Sequence, residues 1–137
     1  GNPRRSGINN WEVMKKALDK DRAIMEKLKK IAQIAREMDK ALTLGQMKKV
    51  TALFDQEWKV RKALAPTIST PYINKLITGA KNKGAQAAKV CGAGGGGCIA
   101  FMVPSTKRES VVSELVRLNG QVIPFRFVQR GLRVQTI

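Results

Sequence analysis

The 137-residue sequence contains no histidine, one tyrosine, two tryptophans and no long hydrophobic run. Its longest uninterrupted apolar stretch, Cys98 to Val103, is far shorter than the ~20 residues that cross a bilayer as a helix. The N-terminal stretch GNPRRSGINN is polar and has no apolar core, so it is not typical of a signal peptide. These absences argue against a membrane protein, and we expect a cytoplasmic chain that forms a single domain over residues 1–137.

Cysteine is also scarce, since Cys91 and Cys98 are the two in the chain and they flank a run of glycines. A disulfide between them would close that run. Two cysteines in a chain without a secretion signal are more often reduced, so we predict free thiols.

Acidic residues are few: 10 Asp and Glu stand against 26 Lys and Arg, which gives a net charge of +16. Such a charge attracts anions, whether nucleic acid, anionic lipid or phosphorylated small molecules. The sequence lacks the alternation of basic and aromatic residues that suits base stacking. This pattern favours a solvated helical surface or a small anionic ligand, and a basic α+β module that binds nucleic acid remains the alternative.

Apolar spacing in the first half of the chain predicts helices. A long helical hairpin is expected over residues 21–63, with Gly45 at its turn, and a shorter helix before it over residues 10–18. Thr70 followed by Pro71 predicts a further helix start, because a capping hydroxyl then precedes proline at the first helical position.

The second half changes to a strand-like pattern. Strands are predicted at residues 86–91 and 98–103, joined by the glycine run, and a helix capped by Thr106 follows. The segments QVIPFRFV (121–128) and LRVQT (132–136) predict a β-hairpin. The predicted fold is therefore α+β, with a four-stranded antiparallel sheet, helices on one face and the long helical hairpin.

The glycine run is the most unusual feature of the sequence. Glycine loses much conformational freedom on folding. A run this dense therefore indicates that the backbone approaches something bulky or anionic and offers its N–H groups to it, with at least one glycine at positive φ. The phosphate-loop pattern G-x-x-x-x-G-K-[ST] is absent. The pattern G-x-G-x-x-G is met by Gly92, Gly94 and Gly97, but an apolar strand follows instead of a helix, which excludes a Rossmann dinucleotide site.

The run resembles the third conserved motif, GAGxGGC, of the GHMP kinases, a family that includes galactokinase, homoserine kinase, mevalonate kinase and phosphomevalonate kinase. Lys89 occupies the position where the family carries a basic residue. The blocks PRRSGINNWEV, KVRKALAPTISTPYINKL, GAQAAKVCGAGGGGC and VIPFRFVQRGLRV are similar to the sugar-kinase branch that phosphorylates D-glycero-D-manno-heptose 7-phosphate. The residues that match the motif are Gly92, Ala93, Gly94, Gly96, Gly97 and Cys98.

The resemblance covers essentially the whole chain, but only the C-terminal, ferredoxin-like domain of the family. It implies an ATP-dependent kinase that phosphorylates a sugar or sugar phosphate, with heptose 7-phosphate preferred and galactokinase or mevalonate kinase activity as alternatives. It also implies that ATP and Mg²⁺ are bound mainly by an N-terminal domain outside this chain, that the chain alone is inactive, and that one edge of its sheet is exposed and able to pair with another molecule.

The same resemblance assigns the site residues. The glycine loop of Gly92, Ala93, Gly94, Gly95, Gly96 and Gly97 would lie beside the ATP phosphates, and Arg5, Ser6 and Lys89 near the acceptor. No catalytic residue and no metal ligand is expected in this chain, because its ten carboxylates lie in or beside predicted helices and none adjoins the loop. Neither a membrane nor a nucleic acid is expected as a partner.

Overall fold

The computed structural model describes residues 6–132 and residue 134. Within them the chain is mainly helical, with a short pair of strands in its second half. Short 3-10 turns lie at Pro66–Ile68 and at Ser105–Lys107. The helices and strands are, in chain order, α1 (Ser6–Leu18), α2 (Arg22–Thr43), α3 (Met47–Arg61), α4 (Pro71–Asn82), β1 (Ala87–Val90), β2 (Ile99–Met102) and α5 (Arg108–Arg117).

The helices α2 and α3 form the long hairpin that apolar spacing predicts over residues 21–63. Asp21 caps α2, since its side chain accepts a hydrogen bond from the backbone N–H of Ile24 at 3.0 Å. Gly45 turns the chain between the helices at φ +64°, a left-handed conformation that favours glycine. The two helices share a buried apolar cluster that contains Ile34, Ala41, Val50 and Leu53. None of the helices in the described residues is long and apolar enough to span a membrane.

The sheet consists of β1 and β2, which pair antiparallel. Successive side chains of a strand point to opposite faces, so Lys89 faces away from Ala88 and Val90. Ala88 and Val90 lie in a buried cluster with apolar residues of α2, α3 and α4. Lys89 instead contacts the side chains of α3. Side chains of α3 therefore lie close to residues on both faces of β1.

The predicted C-terminal hairpin is the main difference between the sequence-based fold and the structure. Residues 121–132 have no regular secondary structure, so the strand predicted at 121–128 is absent and the sheet has two strands in the described part of the chain. A strand is stable only when a neighbouring strand pairs with its backbone, and none is recorded beside this segment among the described residues. Most of the second predicted strand lies outside the described residues.

The helix α4 is tied at its first turn to the end of α5. Thr70 caps it as predicted, since the Thr70 hydroxyl accepts a hydrogen bond from the N–H of Ile73 at 3.2 Å. The Tyr72 hydroxyl lies 2.8 Å from the carbonyl oxygen of Asn119 and 3.2 Å from that of Leu118, and donates to these last carbonyls beyond α5. This contact joins two segments that are far apart in the sequence.

The start of α5 differs from the prediction. Thr106 does not cap the helix, because it lies inside the 3-10 turn at Ser105–Lys107. The N–H of Lys107 donates to the carbonyl of Pro104 at 2.9 Å, and this turn delays the helix to Arg108. The helix ends at Arg117, and Asn119 lies just beyond it at φ +63°.

Candidate functional site

The glycine loop connects β1 to β2 and adopts a conformation that only glycine tolerates well. At its base the N–H of Cys91 donates to the carbonyl of Cys98 at 2.8 Å, and both thiols are free and exposed. Several of its residues lie in the left-handed region, which penalises a Cβ. This confirms the predicted positive φ, found at Gly92 (+83°), Gly94 (+87°), Gly95 (+73°) and Gly97 (+88°).

The group that comes close to the loop is the backbone of Ile68. The N–H of Gly95 donates to the carbonyl oxygen of Ile68 at 2.9 Å. A Cβ added to Gly94 would lie 2.6 Å from that same oxygen and 2.8 Å from the Ile68 Cα, closer than real Cβ contacts come. Ile68 is itself buried in the cluster that holds β1 against the helices. The glycines therefore let the loop pack against the 3-10 turn before α4, which fixes its position.

Next to the loop, a buried carboxylate holds two cations. Glu57 of α3 is only 6% exposed. The Nε of Arg61 donates to its Oε1 at 2.5 Å, and the Arg61 Nη2 also contacts that oxygen. The Nζ of Lys89 lies 2.7 Å from Oε2 of Glu57 and forms an ion pair with it. The geometry of this contact is not that of a hydrogen bond. An isolated buried carboxylate is costly, so the contacts with both cations stabilise Glu57. One carboxylate and two cations give this cluster a formal charge of +1.

Arg61 and Lys89 both line a concave pocket of about 630 Å³. Its size falls in the range of small-molecule sites, roughly 300–1,000 Å³. The other lining residues come from α1, α2, the segment after α3, β1 and the start of the glycine loop, and most of them are apolar. They are Asn10, Val13, Met14, Leu28, Leu64, Ile68, Val90, Gly92 and Ala93.

The structure brings together part of the site that the sequence predicts. Lys89, Gly92 and Ala93 line the pocket. Ser6 begins α1, the helix that also supplies lining residues, while Arg5 lies outside the described residues. The remaining glycines, Gly94 to Gly97, are absent from the pocket lining, and Gly94 and Gly95 pack against Ile68 instead.

Sequence reasoning did not find Glu57 and Arg61. Their spacing of four residues on α3 is typical of a helical ion pair and was the available signal. It could not indicate that the pair is buried and shared with Lys89, because Lys89 comes from a strand 32 residues further along the chain than Glu57.

A second ion-pair cluster joins α3 to α4. Asp55 lies 3.0 Å from Lys59 Nζ and also contacts Lys81 of α4. Burial alone would raise the pKa of Asp55, but the hydrogen bonds and charges of Lys81 and Lys59 outweigh it and hold that pKa below its ordinary value of 3.8. Asp55 is not among the residues that line the pocket, and its ion pair with Lys81 connects α3 to α4.

A metal ion would require several carboxylate, thiolate or imidazole ligands close together. The described residues contain no group of three or more such side chains that could hold one. Glu57, the carboxylate beside the pocket, already forms ion pairs with Arg61 and Lys89. The residues present therefore do not fit a Mg²⁺ site, and no step of a reaction is assigned to a metal held by this chain.

Comparisons with known proteins agree with the sequence resemblance. Residues 10–120 match the family model of the GHMP kinases C-terminal domain. The chain is 27% identical over 122 residues to D-glycero-alpha-D-manno-heptose 7-phosphate kinase of Campylobacter jejuni. This alignment covers 89% of this chain and 36% of that protein. The chain is also 30% identical over 127 residues to mevalonate kinase of Pyrococcus abyssi, and that alignment covers 92% of this chain and 33% of that protein. The chain thus spans about a third of the length of these curated relatives.

Solved structures show the same fold. The Lin0012 protein from Listeria innocua superimposes with a TM-score of 0.82 at 22% identity, over 92% of this chain and 37% of that one. L. major mevalonate kinase in complex with R-mevalonate superimposes with a TM-score of 0.75 at 19% identity, over 85% of this chain and 36% of that one. The family match includes the helical hairpin, the pocket residues and the glycine loop. The chain belongs to the GHMP kinase C-terminal family.

Proposed function

We propose that this chain is the C-terminal domain, over residues 1–137, of an ATP-dependent kinase that phosphorylates a hydroxyl group of a sugar or sugar phosphate. The observation that carries this proposal is the glycine loop, which is held by Ile68 next to a pocket lined by Lys89 and Arg61. A kinase needs such an arrangement, since phosphoryl transfer depends mainly on positioning and on stabilising charge.

The glycine loop serves to place backbone beside the ATP phosphates. Its residues without a Cβ allow close approach, and successive N–H groups in such a loop can face an anion. The N–H of Gly95 is already used by Ile68, so Gly92, Ala93, Gly96 and Gly97 are the residues nearest the phosphates in this proposal. Gly94 and Gly95 hold the loop in place through their contacts with Ile68.

ATP and Mg²⁺ are bound mainly by a second domain, of the kind that makes up the other two thirds of the relatives' length. Mg²⁺ supplies charge neutralisation on the triphosphate when it is bound there. This chain contributes the shape and the positive charge of the acceptor side. Lys89 lies near the acceptor in this proposal, and the family resemblance adds Arg5 and Ser6 as acceptor residues. By itself the chain is inactive.

The preferred acceptor is heptose 7-phosphate, because the flanking blocks of the sequence and the Campylobacter relative both point to it. Mevalonate is the second candidate, supported by the 30% identity to the Pyrococcus kinase. Galactose is the third candidate acceptor, and only the family resemblance supports it.

The test is a coupled ADP-release assay on the product of the complete reading frame that encodes this sequence. Heptose 7-phosphate, mevalonate and galactose are offered separately, each with ATP and Mg²⁺, and a sample without acceptor serves as the control. We expect acceptor-dependent ADP release, fastest with heptose 7-phosphate. Faster ADP release with mevalonate than with heptose 7-phosphate would identify mevalonate as the acceptor.

Filter binding with RNA and DNA tests the alternative of a nucleic-acid-binding module. The net charge of +16 will hold nucleic acid weakly, with an affinity that falls as salt is raised. Tight binding at physiological salt, together with no ADP release for any acceptor, would refute the kinase proposal.

A further inference from the structure

The pocket next to the glycine loop has two kinds of wall. Arg61 and Lys89 are its charged lining residues, and no carboxylate lines it in the described part of the chain. The rest of the lining is mostly apolar and includes Val13, Met14 and Leu28. A ligand that fits this pocket carries both a negative charge and a carbon skeleton.

The two cations retain hydrogen-bonding capacity despite their ion pairs. Arg61 has five N–H donors, and its Nε and Nη2 contact Glu57. Lys89 has three donors on one Nζ, which faces a single oxygen of Glu57. The side chains of Arg61 and Lys89 are 31% and 26% exposed, so both reach the pocket surface while Glu57 remains behind them.

The charges of the cluster do not cancel. Glu57 contributes one negative charge, and Arg61 and Lys89 contribute two positive charges, so a net charge of +1 remains at a partly buried wall. A partly desolvated cation is stabilised when an anion binds to it, and a charged donor makes a stronger hydrogen bond there than in water.

We propose that Arg61 and Lys89 bind the anionic group of the acceptor, a phosphate or a carboxylate, and that Val13, Met14 and Leu28 contact its carbon skeleton. This inference rests on the proposed kinase function and specifies its acceptor as an anion. A neutral sugar would leave the excess charge of this wall without a partner.

The direct test is isothermal titration calorimetry on the complete protein, with its nucleotide site filled by a non-hydrolysable ATP analogue. Inorganic phosphate is the probe in one arm and acetate in the other, at constant ionic strength, so that the two anion chemistries are separated. We expect one probe to bind and Arg61→Met to weaken its binding about tenfold or more, as loss of a charge-assisted hydrogen bond does.

Lys48→Met is the matched control, since Lys48 is an exposed residue of the same helix, and it removes the same charge outside the pocket. We expect this variant to bind the probe within about twofold of the wild type, because a distant exposed charge is screened by salt. Equal binding by Arg61→Met and the wild type would overturn the proposal. So would a loss in Lys48→Met as large as in Arg61→Met, or the absence of binding by either probe.

Kinetics separate this proposal from the kinase proposal. With the active acceptor, Arg61→Met should raise the acceptor KM about tenfold or more while the KM for ATP stays within about twofold. Normal kinetics in Arg61→Met would refute the anion site and leave the kinase assignment intact. Calorimetry tests the anion site even if no acceptor supports ADP release.

If Arg61→Met fails to fold, Arg61→Lys takes its place. This variant keeps a positive charge beside Glu57 but loses the forked geometry of the guanidinium, and we expect it to bind the probe about threefold or more weakly than the wild type.

Discussion

Replacement of Gly94 by alanine tests the packing of the glycine loop on Ile68. Gly94 has φ +87°, and a Cβ there would lie 2.6 Å from the Ile68 carbonyl oxygen and 2.7 Å from its Cγ2. The left-handed conformation costs a residue with a Cβ about 1–2 kcal/mol. The overlap with a buried backbone group adds about 1–3 kcal/mol. We therefore expect Gly94→Ala to lower the free energy of unfolding by about 2–5 kcal/mol.

Gly45→Ala provides the matched control for this prediction. Gly45 also has a positive φ, +64°, but a Cβ there would meet nothing within 4 Å. It therefore isolates the conformational cost, about 1–2 kcal/mol. The assay is urea unfolding of the chain, followed by circular dichroism, with both variants compared to the wild type. If the two variants lose the same free energy within about 0.5 kcal/mol, the contact between the loop and Ile68 is not the reason for glycine at position 94.

Two further predictions concern contacts that join α4 to the rest of the fold. Asp55→Asn should lower the free energy of unfolding by about 1 kcal/mol at neutral pH. The folded pKa of Asp55 is depressed below 3.8 by Lys81 and Lys59, so its contribution is present above the unfolded pKa and is lost as pH falls through the folded pKa. Unfolding measured from pH 7 down to about pH 3 should show the two proteins converging in acid, and a constant difference would contradict the assignment. Tyr72→Phe removes the hydroxyl that donates to Asn119 and should cost about 1 kcal/mol in the same assay, and no loss would mean that water replaces this bond.

Local patterns predicted the helical part of the fold well. The hairpin of α2 and α3, the turn at Gly45 and the cap at Thr70 each depend on residues close together in the sequence. The predicted strand at 121–128 failed for the opposite reason. Its alternating apolar residues suit a strand, but a strand also needs a neighbour to pair with its backbone, and the segment itself cannot supply one.

The candidate site shows the same division between local and long-range information. The density of glycine predicted positive φ, and four loop glycines adopt it. It also predicted close approach to something bulky or anionic, and the contact made in the structure is with the backbone of Ile68. The sequence did not reveal that the approaching group is Ile68, a residue 26 positions before Gly94. Nor could it reveal that Lys89 shares Glu57 with Arg61, because that contact depends on how β1 packs on α3.

The proposed kinase activity is tested by transfer of labelled phosphate from γ-³²P-ATP to an acceptor, with the product separated by chromatography. The complete protein and the isolated 137-residue chain are assayed side by side with heptose 7-phosphate and with mevalonate. We expect acceptor-bound label with the complete protein and none with the chain alone. The described residues contain no group of side chains that could hold a metal ion, and Glu57, the carboxylate next to the loop, is paired with Arg61 and Lys89. Acceptor-bound label formed by the isolated chain, or none formed by the complete protein with either acceptor, would contradict the kinase proposal.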